Sequence, residues 1–210
     1  MEREKSSNFH LLLLFFVVTV FIWSAIKPAG YKIWTMEVLP SLVVIIIVIA
    51  TYKKFRLTSL SYLIITILSI LTFIGGHFTY SEVPLFNWIK DYFDLKRNNY
   101  DRFGHFLKGL FAIVIREIYI RKSPVKKGFW LKFVILSTSL CISALYEIIE
   151  WLSTKIGRGG KAAKEFLGMQ GDIWDSQWDM SLTFVGSILA LIFLSKVHSR
   201  LLLKGSFSKI

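Results

Sequence analysis

Apolar residues fall along this chain in six long runs, at residues 9–26, 33–52, 57–79, 101–120, 129–152 and 177–197, separated by short polar connectors. A helix needs about 20 residues to cross the hydrocarbon core of a bilayer. Lipid accepts only backbone whose polar groups are bonded within the structure itself. The pattern therefore predicts an all-α membrane protein: a polytopic bundle of about six transmembrane helices, forming a single domain over residues 1–210. Between the third and fourth runs, Val83, Leu85, Phe86, Trp88, Ile89, Tyr92, Phe93 and Leu95 alternate with charges. That spacing predicts a short amphipathic helix lying in the interface. The first run has a weakly charged lead and no small-x-small site after it, so it reads as a retained span and not a cleaved signal peptide. The Gly- and Lys-rich segment from Ser153 to Gly171 reads as a solvated connector or a lid.

Composition agrees, with 54% hydrophobic residues and a mean hydropathy of +0.54, and it leaves little room for a soluble domain. In a soluble protein, a net charge of +12 would raise the question of nucleic acid. Here the basic residues sit in the connectors, where topology and anionic lipid account for them, and nucleic acid is excluded as a partner. Six spans put both termini on one side. That side collects thirteen basic residues against nine on the other, where most of the acids lie. The bias predicts a bacterial inner-membrane protein with both termini cytoplasmic. Cys141 is the only cysteine, so no intramolecular disulfide or thiolate metal site exists.

Ionisable residues inside apolar runs are costly and need a partner or a task. Asp101 and His105 lie four apart on one helical face, and the stripe continues through Lys108, Ala112 and Arg116. Arg116 is near the cytoplasmic end, where snorkelling explains it. Gly104 and Gly109 suit the close approach of another helix. Glu147 and Glu150 share a face at the C-terminal end of their run, where the helix dipole disfavours acids, so a cation, a proton or a base such as Arg102, Lys108, Lys155 or Arg158 is needed. Asp172, Asp175 and Asp179 align if their helix begins near Asp172, although the first two also suit an N-cap. His77 follows Gly75-Gly76 on the same outer side.

This mouth holds imidazoles and carboxylates without thiolate, which suits Zn²⁺, Mn²⁺ or Mg²⁺. In that reading His77, His105, Asp175 and Asp179 are the metal ligands. Glu147, Glu150 and Asp101 do acid–base work, and Arg102 and Lys108 hold the anionic group of a lipid or lipid-linked substrate. Two other readings stay open: a small-solute or proton-coupled transporter lined by Asp101, His105, Lys108 and Arg116, and a non-catalytic membrane scaffold pinned by a polar network.

Five stretches carry a family likeness: Gly76-His77-Phe78-Thr79-Tyr80-Ser81-Glu82-Val83-Pro84, Tyr100-Asp101-Arg102-Phe103-Gly104-His105-Phe106, Arg116-Glu117-Ile118, Tyr146-Glu147-Ile148-Ile149-Glu150-Trp151, and residues 168–180 through Gly171-Asp172-Ile173-Trp174-Asp175. Together they resemble the YjdF-like uncharacterised bacterial inner-membrane family, which implies a polytopic inner-membrane protein of this size and no established activity. A weaker likeness is to VanZ-like membrane proteins, through Asp101-Arg102-x-x-His105-Phe106, Glu147, and Asp179 with Gly186. Glu150 and Thr183 depart from that pattern, where Gln and Asn are usual. The likeness implies a cell-envelope role.

Overall fold

A computed structural model describes residues 2–156 and 169–204. The described residues form an all-helical bundle: α1 (Glu2–Ala25), α2 (Tyr31–Thr51), α3 (Ser59–Phe78), α4 (Pro84–Tyr92), α5 (Tyr100–Lys108), α6 (Ala112–Lys122), α7 (Phe129–Ile156) and α8 (Asp175–Lys204). Five of them, α1, α2, α3, α7 and α8, are long and apolar enough to cross a membrane. The sixth crossing is built from α5 and α6, joined end to end by a 3₁₀ turn at Gly109–Phe111. Its charges set it apart from the other five. The helix expected between the third and fourth spans is α4, opened by Pro84 at its first position. It exposes Leu85, Trp88 and Tyr92 as an interfacial helix does.

The central helix is α3, which packs on α1, α2, α5, α6 and α8, while α7 packs on α6 and α8. Core contacts are apolar: Phe73 with Val17 and Val38, Ile64 and Ile65 with Ile113 and Val114, and Ala112 with Leu131 and Ile135. Outward faces carry Leu11, Phe15, Ile46, Phe133, Ile149 and Phe193, the surface that lipid solvates. The start of α1 and the end of α8 lie at one end of the bundle, here the terminal end; the opposite end is the mouth.

Two glycine contacts set the helix spacing. A Cβ on Gly186 of α8 would collide with the Phe106 carbonyl, and one on Gly109 would collide with the Gly186–Ser187 backbone, so these segments meet backbone to backbone. Gly75 leaves room for the Tyr80 ring, which a Cβ would meet at 2.5 Å, and Gly76 faces Val38 and Glu37 of α2. Gly104 has no such role, since a Cβ there would lie an ordinary 3.8 Å from Tyr80.

Several expected boundaries shift. The fifth span continues through Ile156, so Glu147 and Glu150 are not in its last turn, and burial, not the dipole, governs them. The last helix begins at Asp175, so Asp172 precedes it and does not share its face. Most of the segment expected as a connector or lid, with Arg158, lies outside the described residues.

Candidate functional site

At the mouth end, α5, α7 and α8 each bring acid or imidazole groups to one place. Asp101 and His105 stand one turn apart on α5, and Asp179 one turn into α8. One ligand atom from each of these three residues lies within 4.8 Å of the other two. His105 Nε2 is 3.6 Å from Asp101 Oδ1 and 3.9 Å from Glu147 Oε1 of α7. Lys108 Nζ donates to the same His105 nitrogen at 2.8 Å and sits 4.3 Å from the centre of the Tyr146 ring. Behind the imidazole, Thr183 Oγ1 donates to the His105 carbonyl at 3.1 Å.

These groups are withdrawn from water: His105 is 2% exposed, Asp179 3% and Glu147 8%. Among the described residues, Glu147 Oε1 and Asp179 Oδ1 are buried with no hydrogen-bond partner. A buried polar oxygen normally finds a donor; Asp175 Oδ2 and Ser143 Oγ are likewise buried without one among the described residues. Glu150 lies within electrostatic reach of Glu147, Asp101, Glu37 and Lys108, although its side chain is only half buried.

A strap closes the mouth above this group. Arg97, from the segment before α5, pairs with Asp175, and Arg102 pairs with Asp172. Arg102 also lies 3.8 Å from Asp175 and stacks over Trp178. Asn98 and Gln170 reinforce the strap: each side-chain or main-chain amide of the pair bonds the other's carbonyl at 2.9 Å. Asp172 Oδ1 accepts from the Trp174 amide at 2.9 Å. That amide first, with Arg102 beside it, holds the Asp172 carboxyl below its ordinary range.

Asp101, His105, Glu147 and Asp179 thus converge. Two of the proposed ligands do not join them. His77 Nδ1 instead donates to the Ser24 carbonyl at 3.1 Å, with its ring 4.4 Å from Trp23. Asp175 is taken by Arg97. Arg102 is likewise committed to Asp172, which leaves Lys108 as the amine facing the group. Glu37, Arg97, Tyr80 and Tyr146 are neighbours that pattern reading did not select. Glu37 had a signal, being the one acid inside the second apolar run.

The terminal end holds a second buried cluster. Glu117 of α6 accepts from the Thr58 amide, from Thr58 and Ser61 hydroxyls at 2.8 and 2.6 Å, from Arg121 at 2.8 Å and from His198 Nε2 at 3.2 Å. Arg116 donates to His198 Nδ1 at 2.7 Å and to Ser199 at 2.8 Å. It is buried inside the bundle, so it does not snorkel. This pairing was hidden because it joins residues about 80 positions apart.

Comparison with known proteins agrees with the architecture. The family described as "Predicted membrane protein (DUF2238)" matches residues 9–200. The chain is 38% identical over 182 residues to the inner membrane protein YjdF of Escherichia coli (strain K12), covering 86% of each protein. No solved structure matches.

Proposed function

Because the chain belongs to the DUF2238 family of predicted membrane proteins, we propose that it is an inner-membrane protein with cytoplasmic termini whose outward mouth holds a divalent cation. In this reading it acts there on a lipid or lipid-linked envelope substrate. Both the placement of basic connectors and the inner-membrane designation of its E. coli relative support the setting.

One observation carries the reading: Asp101, His105 and Asp179 offer ligand atoms within 4.8 Å of one another in a buried place where the Asp179 Oδ1 has no hydrogen bond. Carboxylates at that depth are too costly to leave uncompensated. One imidazole and two carboxylates suit Zn²⁺ or Mn²⁺ and leave coordination positions open to a substrate. Such an ion supplies Lewis-acid polarisation of a phosphoryl or acyl oxygen. Glu147, 3.9 Å from His105, is placed to accept or return a proton. Lys108 lies on His105 Nε2 at 2.8 Å and would have to leave that nitrogen for it to ligate, its amine then free for the substrate's anionic group.

The transport reading has less support. Below Lys108 the sixth crossing passes Ala112, Ile113 and Val114, none more than 2% exposed, and Arg116 beyond them is committed to His198 and Ser199. Elemental analysis of the purified protein tests the proposal. About one Zn²⁺ or Mn²⁺ per chain is expected, with almost none in His105→Ala or Asp179→Asn. Substoichiometric metal in the unmutated chain overturns it.

A further inference from the structure

A cavity of about 180 Å³ descends from the mouth cluster between α2, α3 and α7. Its walls toward the middle of the membrane are mainly apolar, with Val44 of α2, Ile65 and Leu68 of α3 and Ile142 of α7, and with Ser69 and Ser139 among them. Its upper end is polar, where His105, Lys108 and Tyr146 meet it. The cavity is open on one side. α7 packs on α6 and α8 while α2 packs on α3, and among the described residues α2 and α7 are not closely packed together. We infer that this cavity holds one acyl chain of an ethanolamine phospholipid that enters sideways from the bilayer. The inference deepens the reading above by naming its substrate class.

The order of groups along α7 carries the assignment. At the deep end, Val44, Ile65, Leu68 and Ile142 give a mainly apolar lining, with Ser69 and Ser139 beside them. The residue after Ile142 on α7, Ser143, has a buried hydroxyl with no hydrogen-bond partner among the described residues, a donor placed for a glycerol-ester carbonyl. Next, Lys108 lies against the Tyr146 ring, with no described carboxylate within 4.0 Å of its amine, a cation placed for phosphate. Further out still, Glu150 lies one turn beyond Tyr146, and Glu37 of α2 lines the cavity across from it, carboxylates placed for the ethanolamine ammonium. Chain, ester, phosphate and amine then meet apolar wall, hydroxyl, lysine and glutamate in that sequence. A prenyl phosphate lacks the ester that Ser143 would bond, and a glycerol head lacks the ammonium. The volume admits roughly six methylene-sized groups, so only part of one chain is enclosed. The second chain stays in the bilayer, and the lipid need not be extracted.

The test uses the full chain in vesicles of phosphatidylglycerol doped with phosphatidylethanolamine bearing a diazirine in one acyl chain. After irradiation, labelled peptides are mapped. Labelling at Val44, Leu68 and Ile142 is expected to exceed that from the same diazirine on phosphatidylglycerol about tenfold, whereas lipid-facing Ile46 and Phe133 take both lipids equally. Leu68→Trp, which fills the cavity, and the milder Ser143→Ala and Lys108→Met each reduce the cavity labelling. Equal labelling by both lipids, or cavity labelling untouched by all three changes, overturns the inference. Asp179→Asn separates the two readings. Labelling that persists in a chain without metal supports the lipid site even if the metal reading fails. A metal-loaded chain whose cavity takes no lipid sinks the lipid site alone.

Discussion

The two buried polar clusters of this protein differ in how completely they are satisfied. At the terminal end, both oxygens of Glu117 are filled by donors from α3, α6 and α8, and Arg116 is held by α8. At the mouth, Asp101, His105, Glu147 and Asp179 face one another, and buried oxygens of Glu147, Asp175 and Asp179 have no donor among the described residues. The contrast separates a latch from a site. A buried charge that only fixes packing gains by being fully bonded, while one kept for a ligand stays partly unbonded until the ligand arrives.

The comparison breaks most easily at the latch. Glu117→Ala leaves five donor groups from Thr58, Ser61, Arg121 and His198 without their acceptor. It is expected to cost about 3–5 kcal/mol of stability, measured by reversible unfolding in bicelles. A loss no larger than that of an exposed-site control would contradict the latch. Between the clusters, Gly186→Val pushes a side chain into the Phe106 carbonyl and is expected to cost about 1–3 kcal/mol by the same measurement, with both clusters loosened together. In metal-free protein, Asp179→Asn should leave stability unchanged or higher, since the Asp179 Oδ1 it replaces has no donor among the described residues, while metal binding is lost; a drop as large as that of Glu117→Ala would erase the distinction. Glu147→Gln, beside the ligand group, is expected to weaken metal affinity about 10–100-fold, read by competition with a metallochromic chelator.

The smallest expected effect concerns pH. Asp172 stands outside the spans, and its folded carboxyl lies below the ordinary range. Its contribution is therefore complete above about pH 3.9, the unfolded value, and is lost as pH falls through the folded value. Asp172→Asn should flatten that part of the stability–pH curve, and an unchanged curve would show that the strap does not depend on this charge.

Much of this plan was legible in the residues. Apolar runs revealed the crossings, including the charged fourth one, because its apolar positions still recur at helical spacing. Topology then placed the polar ends of three spans together, and Asp101, His105, Glu147 and Asp179 do lie together. What pattern reading could not supply was pairing at long sequence separation. His77 shared an end of the bundle with His105, but helix rotation turned it to Ser24. Arg116 looked like a snorkelling residue because its partner His198 is 82 positions away. Arg97 looked like an ordinary connector charge until the fold brought Asp175 to it. Periodicity tells which face a residue occupies, whereas a donor's acceptor is known only once the helices are packed.

The central claim is that the mouth cluster ligates a divalent ion. Its most direct test is anomalous scattering from crystals of the purified protein grown with Zn²⁺. The account predicts one strong peak about 2.0–2.2 Å from His105 Nε2 and from a carboxylate oxygen of Asp101 and of Asp179, absent in Asp179→Asn crystals. A peak confined to other residues, or none at all, would contradict it.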